Sequence, residues 1–162
     1  MTPCDGASGG PGAPRASGTC VVIGYGNELR SDDGAGPWVA RAVAALALPG
    51  VLATDAHQLV PEMAEMLSDA RLAVFVDATV TPEPTDVAAR RVEPHADPAG
   101  ASHFGDPGAL LWITRQVYGR CPEAWLVTIP ARNLDLGESL TPGVRALCDT
   151  AVSVVARLVA CP

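Results

Sequence analysis

Residues 72–76 (LAVFV) are an unbroken apolar run closed by a single carboxylate, Asp77. A strand with one wet face alternates apolar and polar side chains, whereas a continuous run belongs to a strand covered on both faces. Strands of that kind sit in parallel sheets, whose crossover helices supply the cover. The rest of the chain supplies matching parts. Residues 20–23 (CVVI) are a second short apolar run, stopped by Gly24. Ser31, Asp32 and Asp33 then offer helix N-cap chemistry, and Val39, Val43 and Leu46 recur at i, i+4 and i+7 until Pro49-Gly50 ends that helix. Residues 51–55 are a further strand, and Pro61 opens a helix whose Met63, Met66 and Leu67 share a core face.

The second half changes character. Residues 86–92 form a weak strand carrying Arg90 and Arg91, and the link before it is too short for a parallel crossover. This fourth strand is therefore expected to be antiparallel, in a hairpin, near an edge. Residues 107–118 are helical, with Leu110, Ile113 and Val117 on one side and Gly119 as the stop. Residues 124–129 make a fifth strand. Thr141-Pro142 opens a long final helix whose Val144, Leu147, Cys148, Ala151, Val155 and Leu158 repeat at helical spacing. The predicted fold is α/β: one three-layer domain, a mostly parallel five-stranded sheet with one antiparallel strand, and helices on both faces. Right-handed crossovers place the first three strands in the order 2-1-3.

Composition narrows the function. The chain has 162 residues, enough for one domain, here read as residues 19–162. Residues 1–18 are Gly, Pro and Ser at ten of eighteen positions and read as a flexible tail. The net charge of −7 argues against nucleic acid and against an anionic membrane surface. All eleven basic residues are Arg, so a phosphate-loop lysine and a Schiff-base lysine are both excluded. No apolar run is long enough to span a bilayer, and the first residues lack a signal peptide's apolar stretch. Five cysteines without a Cys-x-x-Cys pair fit a reducing cytoplasm, which is the expected location.

Ligands of open α/β sheets sit at the carboxyl ends of the strands, where the strand order reverses. The loop 24–36 (GYGNELRSDDGAG) leaves the first strand there, and Asp77 ends the third. Asp33 and Asp77 therefore share one crevice although 44 residues separate them. Two carboxylates together want a cation or a shared proton. His103, in a Gly- and Pro-flanked loop before the third long helix, is the histidine chosen to complete an oxygen and nitrogen metal site. Each residue also has a plainer reading. Asp33 can complement a helix dipole, Asp32 can be a helix cap, Asp77 can cap a loop, and His103 can be a surface histidine. His57 and His95 read as bland. A dinucleotide fingerprint fails because Leu29 stands where its third Gly belongs.

Together the segments VVIGYGNELRSDDGAGPWVA, HQLVPEMAEMLSDARLAVFVDA, SHFGDPGALL and TIPARNLDLGESLTPGV resemble the hydrogenase maturation proteases, nickel-dependent endopeptidases that trim the large subunit of [NiFe] hydrogenases. The match covers nearly all of residues 19–161. The resemblance implies a metal-ligating and catalytic set of Asp33, Asp77 and His103. It implies a large-subunit precursor as partner, nickel supplied by that substrate, no organic cofactor, and removal of a short C-terminal peptide. A monomer is expected. The first ligand is Asp where some members have Glu. The loop 57–62 (HQLVPE) follows one branch of the family, and the resemblance links it to the choice of partner subunit.

The chemistry agrees with an unusual peptidase. There is no His-Glu-x-x-His, no Gly-x-Ser-x-Gly, and no Cys/His pair for a covalent intermediate. Two carboxylates and an imidazole make an open three-ligand site, suited to gripping a nickel ion that another protein presents. The alternative is a nickel-binding or nickel-checking accessory module without peptidase activity; a cleaved precursor separates the two.

Overall fold

The computed structural model describes residues 18–80, 85–96 and 105–161. The expected tail, apart from Gly18, and the candidate ligand His103 lie outside the described residues. The elements are β1 (Thr19–Tyr25), α1 (Ala35–Ala45), β2 (Val51–Ala56), α2 (Ala64–Ser68), β3 (Ala70–Thr79), β4 (Ala88–Arg91), α3 (Pro107–Tyr118), β5 (Glu123–Pro130) and α4 (Pro142–Ala160). Short 3₁₀ turns at Ser31–Gly34 and Pro61–Met63 lead into α1 and α2.

One five-stranded sheet has the order β2-β1-β3-β5-β4, parallel throughout except for β4. The fold class is the one expected. The unbroken apolar runs explain themselves in the packing. Val22, Val74, Val76 and Val127 face α1 and α4, where they meet Val39, Val43, Val144, Cys148 and Val155. Their neighbours Val21, Ile23, Ala73, Phe75 and Leu126 face the other way, onto Leu67, Leu110 and Leu111. Both faces of β1 and β3 are dry, so alternation would have left polar groups in a core.

Three local expectations need correction. β4 is antiparallel and lies at an edge, but it pairs with β5 and forms no hairpin with β3. The flank of β3 is taken by β5 over eight registered pairs from Leu72 to Thr79. All four residues of β4 are exposed, and an interior place would have buried Arg90 and Arg91. The α2 helix has only five residues, because the polar turn before it is 3₁₀. Thr141 precedes α4 as an N-cap should, yet its hydroxyl makes no capping bond and turns to Asp32 instead.

α1 sits unusually close to the sheet. A methyl group on Gly36 would overlap the backbone carbonyl oxygens of Tyr25 and Val76, and one on Gly24 would overlap the Gly36 carbonyl. These glycines permit a helix start to press on β1 and β3, which removes any need for a phosphate-binding reading of the loop. Gly36→Ala is expected to cost about 2–3 kcal/mol by overpacking, seen as an earlier midpoint in guanidinium unfolding. A midpoint within error of the parent would show that the approach is looser than described. Among the described residues, no helix is long and apolar enough to cross a membrane, and Cys20, Cys121, Cys148 and Cys161 are free thiols.

Candidate active site

The carboxyl ends of β1, β2 and β3 open onto a cleft of about 710 Å³ whose wall includes Tyr25, Arg30, Asp33, His57, Asp77 and Asp106. Asp33 and Asp77 thus meet where the strand order reverses, as the sequence predicts. Among the described residues no three His, Cys, Asp or Glu side chains form a metal-binding group; His103 lies outside them.

Asp77 lies inside β3, which runs two residues further than expected to Thr79. It follows Val76, which pairs with Gly24, so Asp77 and Tyr25 stand side by side on neighbouring strands. Their side chains share a sheet face, and the Tyr25 hydroxyl hydrogen-bonds the Asp77 carboxyl. Burial pushes Asp77 up from 3.8 to about 7; the Asp33 charge adds to the rise, while the bonds from Tyr25 and the Ala78 backbone oppose it. Burial and then the charge of Asp77 push the Tyr25 phenol up too, so it stays protonated and donates. The cleft therefore holds one carboxyl poised between its two states beside a second carboxylate.

That poise has a sign. The folded chain holds the Asp77 proton more tightly than the unfolded chain does. Its contribution to stability is complete below about pH 4 and is lost as pH rises through about 7. Asp77→Asn removes this loss. The variant is expected to gain on the parent by on the order of 2–4 kcal/mol between pH 4 and pH 8, measured as paired urea unfolding curves. A difference that stays flat with pH would mean that Asp77 is ionised throughout.

Asp33 is half-buried in the 3₁₀ turn before α1, and its Oδ2 accepts from the Asn27 N–H at 2.9 Å. Gly26 makes this fold-back possible: at φ 147° it holds a conformation other residues avoid, and a side chain there would strike the Asp33 carbonyl. Asp33 is thus aimed into the cleft and is not merely a dipole partner.

Asp32, expected to be a cap, has another job. It is 0% exposed. Its Oδ2 accepts from the Arg132 and Asn133 backbone N–H groups at 2.9 and 2.8 Å and from the Thr141 hydroxyl at 3.1 Å. Its Oδ1 accepts from the Thr141 N–H at 2.7 Å. One buried carboxylate thereby fastens the loop 131–141 beneath the site loop. Ser31 reinforces the join: its N–H and hydroxyl donate to the carbonyls of Gly137 and Asp135 at 2.8 and 2.9 Å. Nothing near Asp32 in the sequence signals this, because every partner is at least 100 residues away.

His57, read as bland, reaches the cleft wall through the loop after β2. His95 stays exposed, with Nε2 at 3.0 Å from the Asp106 carboxylate. Asp106 caps α3 by accepting from the Gly108 N–H at 2.9 Å, and it also lines the cleft.

No known family profile matches the chain, and no curated protein matches its sequence. Solved structures do match. The [NiFe] hydrogenase maturation protease HybD from Thermococcus kodakarensis is 26% identical with a TM-score of 0.68, over 87% of this chain and 99% of that one. The hydrogenase 2 maturation peptidase from a Thaumarchaeota archaeon is 25% identical with a TM-score of 0.66, over 86% and 97%. The hydrogenase maturating endopeptidase HybD from E. coli, at 22% identity, shares the fold, with a TM-score of 0.69 over 86% and 91%.

Proposed function

Since the chain belongs to the [NiFe] hydrogenase maturation protease family, we propose that it is an endopeptidase that removes the C-terminal extension of a nickel-loaded hydrogenase large-subunit precursor. The observation that carries this reading is the convergence of Asp33, from the turn after β1, and Asp77, from β3, in one cleft at the switch point of the sheet. Asp33, Asp77 and His103 are the proposed ligands of the nickel that the substrate brings; the resemblance supplies His103.

The residues suit that role. Carboxylate and imidazole donors accept a borderline ion such as nickel. In the free cleft Asp77 stays largely protonated up to about pH 7. A divalent ion arriving with the precursor favours loss of that proton, and the two carboxylates then oppose its charge. Tyr25 occupies one side of the Asp77 carboxyl and fixes its orientation, and the Asn27 N–H does the same for Asp33. An ion held there serves as a recognition peg and supplies Lewis acidity at the scissile carbonyl or at a water. The setting proposed is the cytoplasm, with the chain acting as a monomer.

The test is co-expression with candidate large-subunit precursors, with and without nickel, followed by the mass of the large subunit. The expected result is loss of a short C-terminal peptide that requires both nickel and this chain. A full-length large subunit in every combination would overturn the reading. Nickel-dependent binding without cleavage would leave the accessory-module alternative.

A further inference from the structure

Arg30 supplies the one guanidinium on the described cleft wall. The other cleft charges are carboxyl groups, Asp33, Asp77 and Asp106, and none of them pairs with it among the described residues. Its Nε donates to the Leu134 carbonyl at 3.3 Å, and the two terminal amino groups meet no carboxylate among the described residues. The contrast with Arg41 is informative: that guanidinium is consumed by Glu28 and by Asp55.

Apart from that Nε bond, the side chain of Arg30 is not what holds its loop. The backbone does that, with the Arg30 N–H donating to Asn27 and a bridge joining Arg30 to Gly137. The next residue, Ser31, is left-handed at φ 47°, a conformation that a non-glycine residue holds only when its surroundings impose it. Beyond it the chain turns inward to the buried Asp32. The strained turn thus sends Asp32 under the site and leaves Arg30 on the wall, its two terminal amino groups meeting no carboxylate among the described residues. A guanidinium fork matches a carboxylate in two parallel hydrogen bonds.

We propose that Arg30 is a specificity-determining residue that anchors a carboxylate of the precursor's C-terminal segment, setting that segment across the cleft from Asp33 and Asp77. This rests on the endopeptidase reading above. The carboxylate is either the terminal one or that of an Asp or Glu side chain, two sources with one chemistry.

The experiment compares the parent, Arg30→Gln and Arg30→Lys on three forms of the nickel-loaded precursor: unaltered, lengthened by a neutral C-terminal residue, and with its C-terminal acidic side chains changed to amides. On the unaltered precursor, Arg30→Gln is expected to raise KM at least about 10-fold with kcat nearly unchanged, and Arg30→Lys is expected to fall between. On the precursor form that lacks or displaces the anchored carboxylate, the parent shows the raised KM and Arg30→Gln adds nothing. That form identifies the source. An unchanged KM for Arg30→Gln, or an equal loss on all three forms, would overturn the proposal. If the parent trims no precursor, the endopeptidase reading fails by itself. The anchor is then decided by fluorescence anisotropy of a labelled C-terminal extension peptide, free or amidated and with or without its acidic side chains. Weaker binding to Arg30→Gln for carboxylate-bearing forms alone supports it, and equal binding sinks it.

Discussion

Asp77→Ala is expected to stop nickel-dependent trimming, with a loss of at least about 100-fold, while the domain stays folded. Activity goes because the precursor's nickel loses one of three proposed protein anchors, and a small misplacement of a scissile bond is enough for such a loss. The fold survives because Asp77 belongs to neither apolar core cluster. It stands beyond the apolar run of β3, and its ionised form is unfavourable in the cleft near neutral pH. The Tyr25 hydroxyl that it leaves behind lines the cleft, where water can take the vacated place. His103→Ala should match it in activity. Both measurements belong beside a melting curve at pH 8, where the Asp77→Ala transition should lie at or above that of the parent. Trimming at the parental rate by Asp77→Ala would remove the carboxylate pair from the mechanism.

The largest effect on stability is expected at the neighbouring acid. Asp32→Ala strands three backbone N–H groups and one hydroxyl that now share a single buried carboxylate. Leaving buried donors unsatisfied costs about 1–3 kcal/mol each where water cannot reach them, and partial relaxation keeps such costs from adding in full. The variant should therefore lose about 3–5 kcal/mol in urea unfolding, a large part of what holds a domain of this size. Asp32→Asn keeps one acceptor oxygen but turns an amino group toward existing donors, so it should recover only part. A loss under about 1 kcal/mol for Asp32→Ala would mean that the loop 131–141 is held by Ser31, Arg30 and the backbone bonds around them without help from the carboxylate.

The three acids differ in how far the sequence discloses them. Asp33 and Asp77 are placed by topology: continuous apolar runs imply a parallel interior, right-handed crossovers imply the order 2-1-3, and that order brings the two loop ends together. The structure agrees at each step up to the shared cleft. Asp32 looks like a helix cap because local sequence shows only its neighbours, while its partners lie between Arg132 and Thr141. The same blindness applies to Tyr25, whose link to Asp77 depends on strand register, and to Asp106, whose ties to His95 and to the cleft depend on where α3 starts. The edge position of β4 is legible from the short link before it, but its partner is not, since pairing with β5 depends on which strand claims the flank of β3. His57 reaches the cleft by the course of a loop, for which periodicity offers no signal.

The buried tie at Asp32 also orders events in time. During synthesis the site loop emerges early, yet its last fastening, the Thr141 N–H, is 109 residues further along the chain. At translation rates of 5–20 residues per second, roughly 5–20 seconds separate the two. Through that interval the nascent chain gains Asp33, Asp77 and His103 in turn, without the floor that aligns the first of them. A ribosome stalled before Thr141 would carry Asp33 on a turn with nothing beneath it. The cleft is therefore finished only when the last strand has docked and the final helix has begun, so a chain that stops short of Thr141 has no finished cleft.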